Sequence, residues 1–206
     1  MTLCLSMFVG GAMASLLPDV ARLCTIVFRE WPHLYEGDGR YDPDHLRALA
    51  ASSRSVLIMA YDGNMPVGAS TGLPLRDATG NVQAPFLARG WSLAPFFYFA
   101  ESVLLPRYRG RGVGATFFAM REAHAHLVAG CNFTCFCAIQ RSDDHPSRLA
   151  NAKSLDAFWR RHGYVPVPDL RCTMTWREIG QTADSDLPLS FWIKALTEPL
   201  PERSSS

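Results

Sequence analysis

One stretch constrains this chain more than any other: LLPRYRGRGVGATFF, residues 104–118. It joins an apolar, strand-like segment to a loop holding Arg109, Gly110, Arg111, Gly112 and Gly114. Residues at helical spacing come next: Val113, Phe117, Met120, His124 and Leu127. Pro106 ends the strand. Glycines reach backbone conformations closed to other residues, so successive amides can turn toward one ligand. A helix N-terminus adds unpaired amides and the positive end of the helix dipole. Such a strand, loop and helix suit a phosphate or a pyrophosphate.

The remaining pattern has to fit around that unit. With 206 residues, 48% hydrophobic and 19% charged, the chain is expected to form one globular domain with a real core. Thr2 to Val9 reads as a first strand. A helical stripe continues through Leu16, Val20, Leu23, Val27 and Trp31, with Ser15 as its cap and Pro32 as its end. Asp42 or Pro43 opens a second, short helix through about Ser52. Two apolar strands in SVLIMAYDGNMPVGASTGLPL meet at Asp62-Gly63-Asn64, a hairpin signal. Residues 76–94 read as a long loop. PFFYFAESVLLP is the fourth strand and Phe133 to Gln140 the fifth. Leu155, Phe158, Trp159 and His162 mark a helix stopped by Gly163. LRCTMTWREI alternates as a strand, and PLSFWIKAL reads as a final short helix or an extended apolar tail. The order predicts an α/β fold with one mixed sheet. Its parts are a strand–helix–helix–hairpin unit to about 75, a core over about 95–165, and a terminal strand and tail over about 170–198.

Charge and cysteine usage narrow the classes. The net charge of +1 argues against a nucleic-acid binder, which needs a clustered basic face. Six cysteines, at 4, 24, 131, 135, 137 and 172, lack the paired spacing of a zinc site, so reduced, mostly buried thiols and no metal are expected. The opening run MTLCLSMFVGGAMAS has no basic n-region and is broken by Gly10-Gly11. No segment has the uninterrupted apolar length of a membrane span, and the expected location is cytoplasmic, with no membrane partner.

Three phosphate-binding designs compete for the glycine loop. A P-loop requires a lysine after its second glycine, but the only lysines are Lys153 and Lys194. Gly110, Gly112 and Ala115 can be fitted to the dinucleotide fingerprint. That fit lies mid-chain, and the run Cys131 to Cys137 stands where the ribose-binding acid belongs, so a nicotinamide-dependent oxidoreductase is a weak reading. Arg109, Gly112 and Gly114 match the third design, Arg or Gln followed by x-x-Gly-x-Gly or Ala, which binds acetyl-CoA.

On these residues the chain resembles the GNAT superfamily of N-acetyltransferases. The resemblance covers nearly the whole chain, from the early helix pair through PVGAS and VLLPRYRGRGVGA to LDAFWRRHGY, and it is greatest to a bacterial branch with ESVLLP, YRGRG, FFAMREAHAH and DHP segments. It implies a mostly antiparallel, twisted sheet of six to seven strands, splayed between strands 4 and 5 and flanked by helices. It also implies acetyl-CoA as co-substrate. The pantetheine arm would pair with the backbone of Val103, Leu104 and Leu105. The amides from Arg109 through Gly110, Arg111, Gly112, Val113 and Gly114 to Ala115 would hold the pyrophosphate, with the two arginines adding charge.

Direct transfer needs a base for the amine and a proton for the leaving thiolate. Glu101 interrupts an apolar strand two residues before Val103, on the same face, and is the base candidate. Many members of the superfamily place a tyrosine four residues before the helix-ending glycine to protonate the thiolate. Here Trp159 stands there, and an indole N–H is no acid. The usual asparagine seven residues earlier is Ala152, with Asn151 one place off. Tyr98, Cys137, His145 and Tyr164 are the substitutes, His145 foremost because its loop should border the acceptor. Trp31, Tyr35, Tyr41, Phe96, Tyr98 and the segment 76–94 are expected to shape a pocket for a small-molecule primary amine. The apolar PLSFWIKAL offers a surface for a homodimer. A CoA-binding sensor without transfer chemistry is the second reading, suggested by Trp159 and Ala152.

Overall fold

The structure is a computed structural model that describes residues 3–37, 43–142, 144–148, 154–197 and 199–200. Of the residues that carry sequence expectations, Thr2, Tyr41, Asp42, Asn151 and Ala152 lie outside the described residues. Seven strands form one sheet: β1 (Leu3–Val9), β2 (Val56–Asp62), β3 (Met65–Pro74), β4 (Phe96–Leu104), β5 (Phe133–Ile139), β6 (Val165–Arg177) and β7 (Asp184–Ala195). Their spatial order is β1-β2-β3-β4-β5-β7-β6. Every pairing is antiparallel except β4 with β5.

The faces of the sheet arise from alternation. Leu57 and Met59 of β2 enter one core cluster, with Val20, Leu23 and Cys24 of α1 (Leu17–Val27), Leu46 and Leu49 of α2 (Pro43–Ala51), and Val82 and Phe86 of α3 (Gly80–Ala88). Val56, Ile58 and Ala60 enter the other, with Val113, Phe117 and Phe118 of α4 (Val113–Leu127) and Phe158 and Trp159 of α5 (Asp156–Arg161) against it. Helices therefore cover both faces, α1 to α3 on one and α4 with α5 on the other.

Several expectations change. The first helix is a 3-10 segment, Gly10–Leu16, running into α1, which ends at Val27 rather than Trp31. Ser15 caps nothing: Leu16 is the capping residue, without a side-chain bond, and Pro18 sits in the first turn. The 18 residues Gly10–Val27 are long and apolar enough to cross a membrane, contrary to the expectation that no segment would be. Met13, Val20, Leu23 and Cys24 of this segment belong to the core cluster, and 28% of the segment is buried. Residues 80–88, expected as loop, form α3, with Phe86 edge-on to Phe96 and Phe191.

PLSFWIKAL is neither helix nor tail. It is the main part of β7, inserted between β5 and β6. Phe191 and Ile193 join one core cluster and Trp192 the other, so both faces are buried and no alternation shows in the sequence. Leu189, Phe191, Trp192 and Ile193 are thus buried within the sheet. All six cysteines are free.

One irregularity, in β4, decides which side chains share a face. Ser70 pairs with Ser102 but Gly72 pairs with Phe99, so Ala100 and Glu101 together oppose Thr71 in a β-bulge. Strict alternation would place Tyr98 and Glu101 on opposite faces. The extra residue brings Tyr98, Glu101 and Val103 to one face.

Beneath the bulge, on the other face, Arg121 of α4 is 1% exposed. Its Nη1 donates to the carbonyls of Thr71 (3.3 Å) and Glu101 (3.4 Å), and its guanidinium lies over the rings of Phe99 and Phe118. Desolvation lowers its pKa to about 10, against the attraction of Tyr164, Glu122 and Glu101. Orphaned carbonyls at a buried bulge cost about 1–3 kcal/mol each, partly offset by relief of the buried charge. Arg121→Met is therefore expected to lower unfolding stability by about 1–3 kcal/mol, read by urea denaturation. A variant as stable as the parent would show that the clamp carries no weight.

Candidate active site

β4 and β5 share only three parallel pairs: Phe96 with Phe133, Phe97 with Thr134, and Tyr98 with Cys135. Beyond them β4 continues along β3 to Leu104, while β5 continues along β7 to Ile139. The two strands separate, and the backbone edge of β4 beyond the bulge has no strand beside it. Val103 is buried, and the amide of Leu105 is taken by the carbonyl of Val67 on the β3 side. The cleft so formed begins at Tyr98 and opens toward the glycine loop.

That loop has the backbone its glycines foretell. Gly110 and Gly112 have φ of 75° and 82°, values that side chains rarely tolerate, and Gly112 is the N-cap of α4. A Cβ on either glycine would meet nothing within 4 Å, so the backbone lies open to a ligand. Gly114 is different: a Cβ there would make only an ordinary contact with Phe158, so packing within the chain does not require glycine. The arginines are less free than expected. Arg109 donates through Nε to the carbonyl of Leu104 (2.9 Å) and pairs with Glu30 at 2.7 Å, both partners on its own chain. Arg111 sits over the ring of Tyr108, 5.9 Å from its centre. The loop's open feature is its backbone at Gly110 and Gly112.

Glu101 sits on the cleft side of the bulge, 8% exposed. Its amide donates to Thr71 Oγ1 at 2.9 Å instead of to a ladder carbonyl. Oε1 lies 3.3 Å from Nε2 of His45, a residue of α2 that is itself 5% exposed. His45 is not among the candidates drawn from the sequence. Its signal is present there: with Leu46 and Leu49 it occupies the inward stripe of a short helix, where a polar residue is unusual.

Tyr98 marks the point of separation. Its hydroxyl is 3.2 Å from Cys137 Sγ on β5, so the two side chains bridge the strands where they part. Burial, then the neighbouring Cys137, pushes the Tyr98 pKa well above the usual range, and the phenol keeps its proton. Cys137 is likewise pushed up, by a hydrogen bond with Cys172 and by burial.

The other substitute acids are placed elsewhere. The Tyr164 hydroxyl contacts Thr134 Oγ1 (2.8 Å) and donates to Glu122 Oε1 (3.1 Å) on the α4 face, and burial raises its pKa well above normal. Trp159 packs against Phe136 and Trp192, with centroids 5.0 Å from each. His145 rests against Trp31, centroids 5.2 Å apart, and its Nδ1 accepts the amide of Ser147. Among the described residues His145 has no contact with Glu101, Tyr98 or Cys137, so the structure does not join it to them. Phe96 is core, stacked between Trp91 and Phe133, not pocket lining.

Trp31 and Tyr35 do lie on a shaped turn between α1 and α2. Arg141, just past β5, donates to the carbonyls of Pro32 (2.8 Å) and His33 (3.2 Å) and pairs closely with Glu178. Trp176 Nε1 donates to the same His33 carbonyl, and Tyr35 bridges to Glu178 beyond β6. The turn is thereby pinned over the β5 and β6 ends, on the side of the sheet that carries Glu101. The ring of His33 stacks on Phe28 (4.2 Å) and tilts against Trp176. Burial, then the charge of Arg141, holds its pKa down at about 4.

No family model matches the chain, and a comparison with curated proteins finds no match. Solved structures do share its fold. The chain is similar to NAA60 of Arabidopsis thaliana in complex with acetyl-CoA, with 12% identity, a TM-score of 0.57, and 95% and 99% of the two chains covered. An acyl-CoA N-acyltransferase from Pseudomonas aeruginosa gives 16%, 0.55, and 94% and 100%. A GNAT-family acetyltransferase from Streptococcus pneumoniae gives 12%, 0.55, and 95% and 100%.

The His33 enclosure has a measurable consequence. Unfolded, its imidazole takes a proton near 6.5; folded, near 4. The unfolded chain binds more protons between these values, so stability falls as pH drops from 6.5 to 4. Because the residue is only half-buried, the loss is expected to be about 1–3 kcal/mol. Denaturation of wild type and His33→Phe across this range checks it; equal acid losses in both would refute the assignment.

Proposed function

Starting from a chain with the GNAT acyl-CoA N-acyltransferase fold, we propose that it transfers an acetyl group from acetyl-CoA to the primary amine of a small molecule. The observation that carries this reading is the open edge of β4, bordered by Glu101 at the bulge, Tyr98 at the separation and the glycine loop at the far end. A thioester co-substrate needs such a length of exposed strand backbone for its amide-bearing arm and a cluster of amides for its pyrophosphate. The residues present fit it: the backbone at Gly110 and Gly112 is unobstructed, and the α4 N-terminus supplies a positive dipole end.

In this reading the acceptor enters as an ammonium ion beneath the turn held by Arg141. Glu101 removes one proton, and the free amine attacks the carbonyl carbon. The C–N bond forms, the C–S bond breaks, and the electron pair leaves on sulfur. The Tyr98 hydroxyl hydrogen-bonds the departing thiolate; with its pKa raised it stabilises sulfur as a donor without ionising. The ammonium loses two protons in all. One ends on the CoA thiol and the other passes from Glu101 to solvent. Trp159 takes no part, because its ring belongs to an aromatic cluster on the far face.

A CoA-binding sensor is the alternative that the packed Trp159 favours. Thiol release from acetyl-CoA over a panel of primary amines separates the two. Wild type is expected to turn over, and Glu101→Gln to lose about 10²–10⁴-fold in kcat/KM while CoA still raises its melting temperature. Tight CoA binding without thiol release, unaffected by Glu101→Gln, would establish the sensor. Thermal protection by NAD and not by CoA would restore the oxidoreductase.

A further inference from the structure

The proposed transfer leaves one buried polar residue without a task. His45 lies on the inward stripe of α2, 5% exposed, with Nε2 at 3.3 Å from Glu101 Oε1. A histidine in such a place costs desolvation, and packing alone would be better served by a leucine like those at 46 and 49.

The groups that surround the pair select what His45 can do. From α1, Cys24 approaches Glu101, and burial together with the carboxylate's charge pushes its thiol well above the usual range. From β4, Tyr98 is likewise held protonated. From α4, Arg121 reaches the Glu101 carbonyl through the sheet and keeps its charge up to about pH 10. The other elements against α2, the 3-10 segment Gly10–Leu16 and β3, carry no titratable side chain. Among the described residues, these groups hold a constant charge near neutral pH.

We propose that His45 is the positioning residue of the base. Its Nε2–H faces Glu101 Oε1 at 3.3 Å and holds the carboxylate toward the cleft. This rests on the reading of Glu101 as the base. The proton leaves the acceptor nitrogen, binds a carboxylate oxygen and then returns to solvent, while the Nε2 proton stays on the ring; no other bond changes. The bulge fixes the Glu101 backbone through Thr71 and Arg121, and His45 fixes the other end of the side chain.

The test uses the full chain. His45→Ala removes the Nε2–H, and His45→Gln keeps an N–H near its position. In His45→Ala, acetyl-CoA turnover should lose about 10–100-fold in kcat at neutral pH, with the acceptor KM within about twofold, and His45→Gln should recover part of the loss. The acid limb of kcat/KM should move about one pH unit upward in His45→Ala, because a buried carboxylate without the donor holds its proton more firmly. CoA should still raise the melting temperature of both variants, which shows that they fold. Nitrogen-15 NMR gives a readout apart from turnover: the His45 ring resonances should move in Glu101→Gln. A loss in Glu101→Gln with an unchanged acid limb in His45→Ala overturns the proposal alone. So does a loss confined to KM, or a His45 ring signal indifferent to Glu101→Gln. Full activity in Glu101→Gln, whatever the NMR shows, overturns the base reading and the proposal with it.

Discussion

A guanidinium without water holds the centre of this molecule. Arg121 donates to the carbonyls of Thr71 and Glu101 at the bulge, and it does so from within the aromatic packing of Phe99 and Phe118. Its lowered pKa shows that desolvation outweighs the pull of its neighbours. A fold selected for stability alone would use a regular strand and an apolar side chain here. The bulge is kept because it turns the strand by one residue, and that turn sets Glu101, Tyr98 and Val103 on the face where the cleft opens.

The cleft is itself a matter of strand competition. β5 has two edges, and β7 takes one of them for all seven residues, Phe133 to Ile139. β4 runs beside β3, from Phe97 to Leu104. Between β4 and β5 only three parallel pairs remain, and beyond Tyr98 the edges face open space. The separation needs no special residue at its vertex; it results from each strand being held more extensively by its outer neighbour. The bridge from Tyr98 to Cys137 then marks the point at which the two strands part.

Local features were legible in the sequence, and relational ones were not. Gly63, Gly110, Gly112 and Gly163 adopt the positive φ that a hairpin, a loop and a helix end demand, because those demands lie within a few residues. The helix α4 begins at the predicted place for the same reason. β7 was misread because both its faces are covered, which removes the period of two that identifies a strand. Gly80 and Pro85 concealed α3, although Val82 and Phe86 keep its inward spacing. The bulge is a relation between β3 and β4 and leaves no mark in either alone. His45 illustrates the limit at the site: its approach to Glu101 joins residues 56 positions apart, on elements whose docking depends on the whole sheet. At Trp159 the sequence points to a missing acid, and the structure shows the ring packed against both Phe136 and Trp192.

The ion pairs around the acceptor turn differ in weight, and burial decides which of them shapes the site. Arg29 with Glu36, and Arg109 with Glu30, are each about half exposed, so water and salt screen them and either contributes less than about 1 kcal/mol. Arg141 with Glu178 is 8% and 16% exposed, and the same guanidinium also donates to two carbonyls of the turn. Removing it would take the Arg141 donor from the Pro32 carbonyl, leave the His33 carbonyl to Trp176 alone and deprive Glu178 of this charge partner, a cost above that of either surface pair. The shape of the turn thus depends on Arg141, and the exposed pairs only adapt to it. The same ordering applies to the donor loop: since Arg109 is tied to the turn by a weak, screened contact, a pyrophosphate can compete with Glu30 for it at little cost, whereas the backbone amides at Gly110 and Gly112 need no rearrangement at all. Under the proposed function, donor recognition would rest on the backbone, and acceptor recognition on side chains of a turn held by one buried arginine.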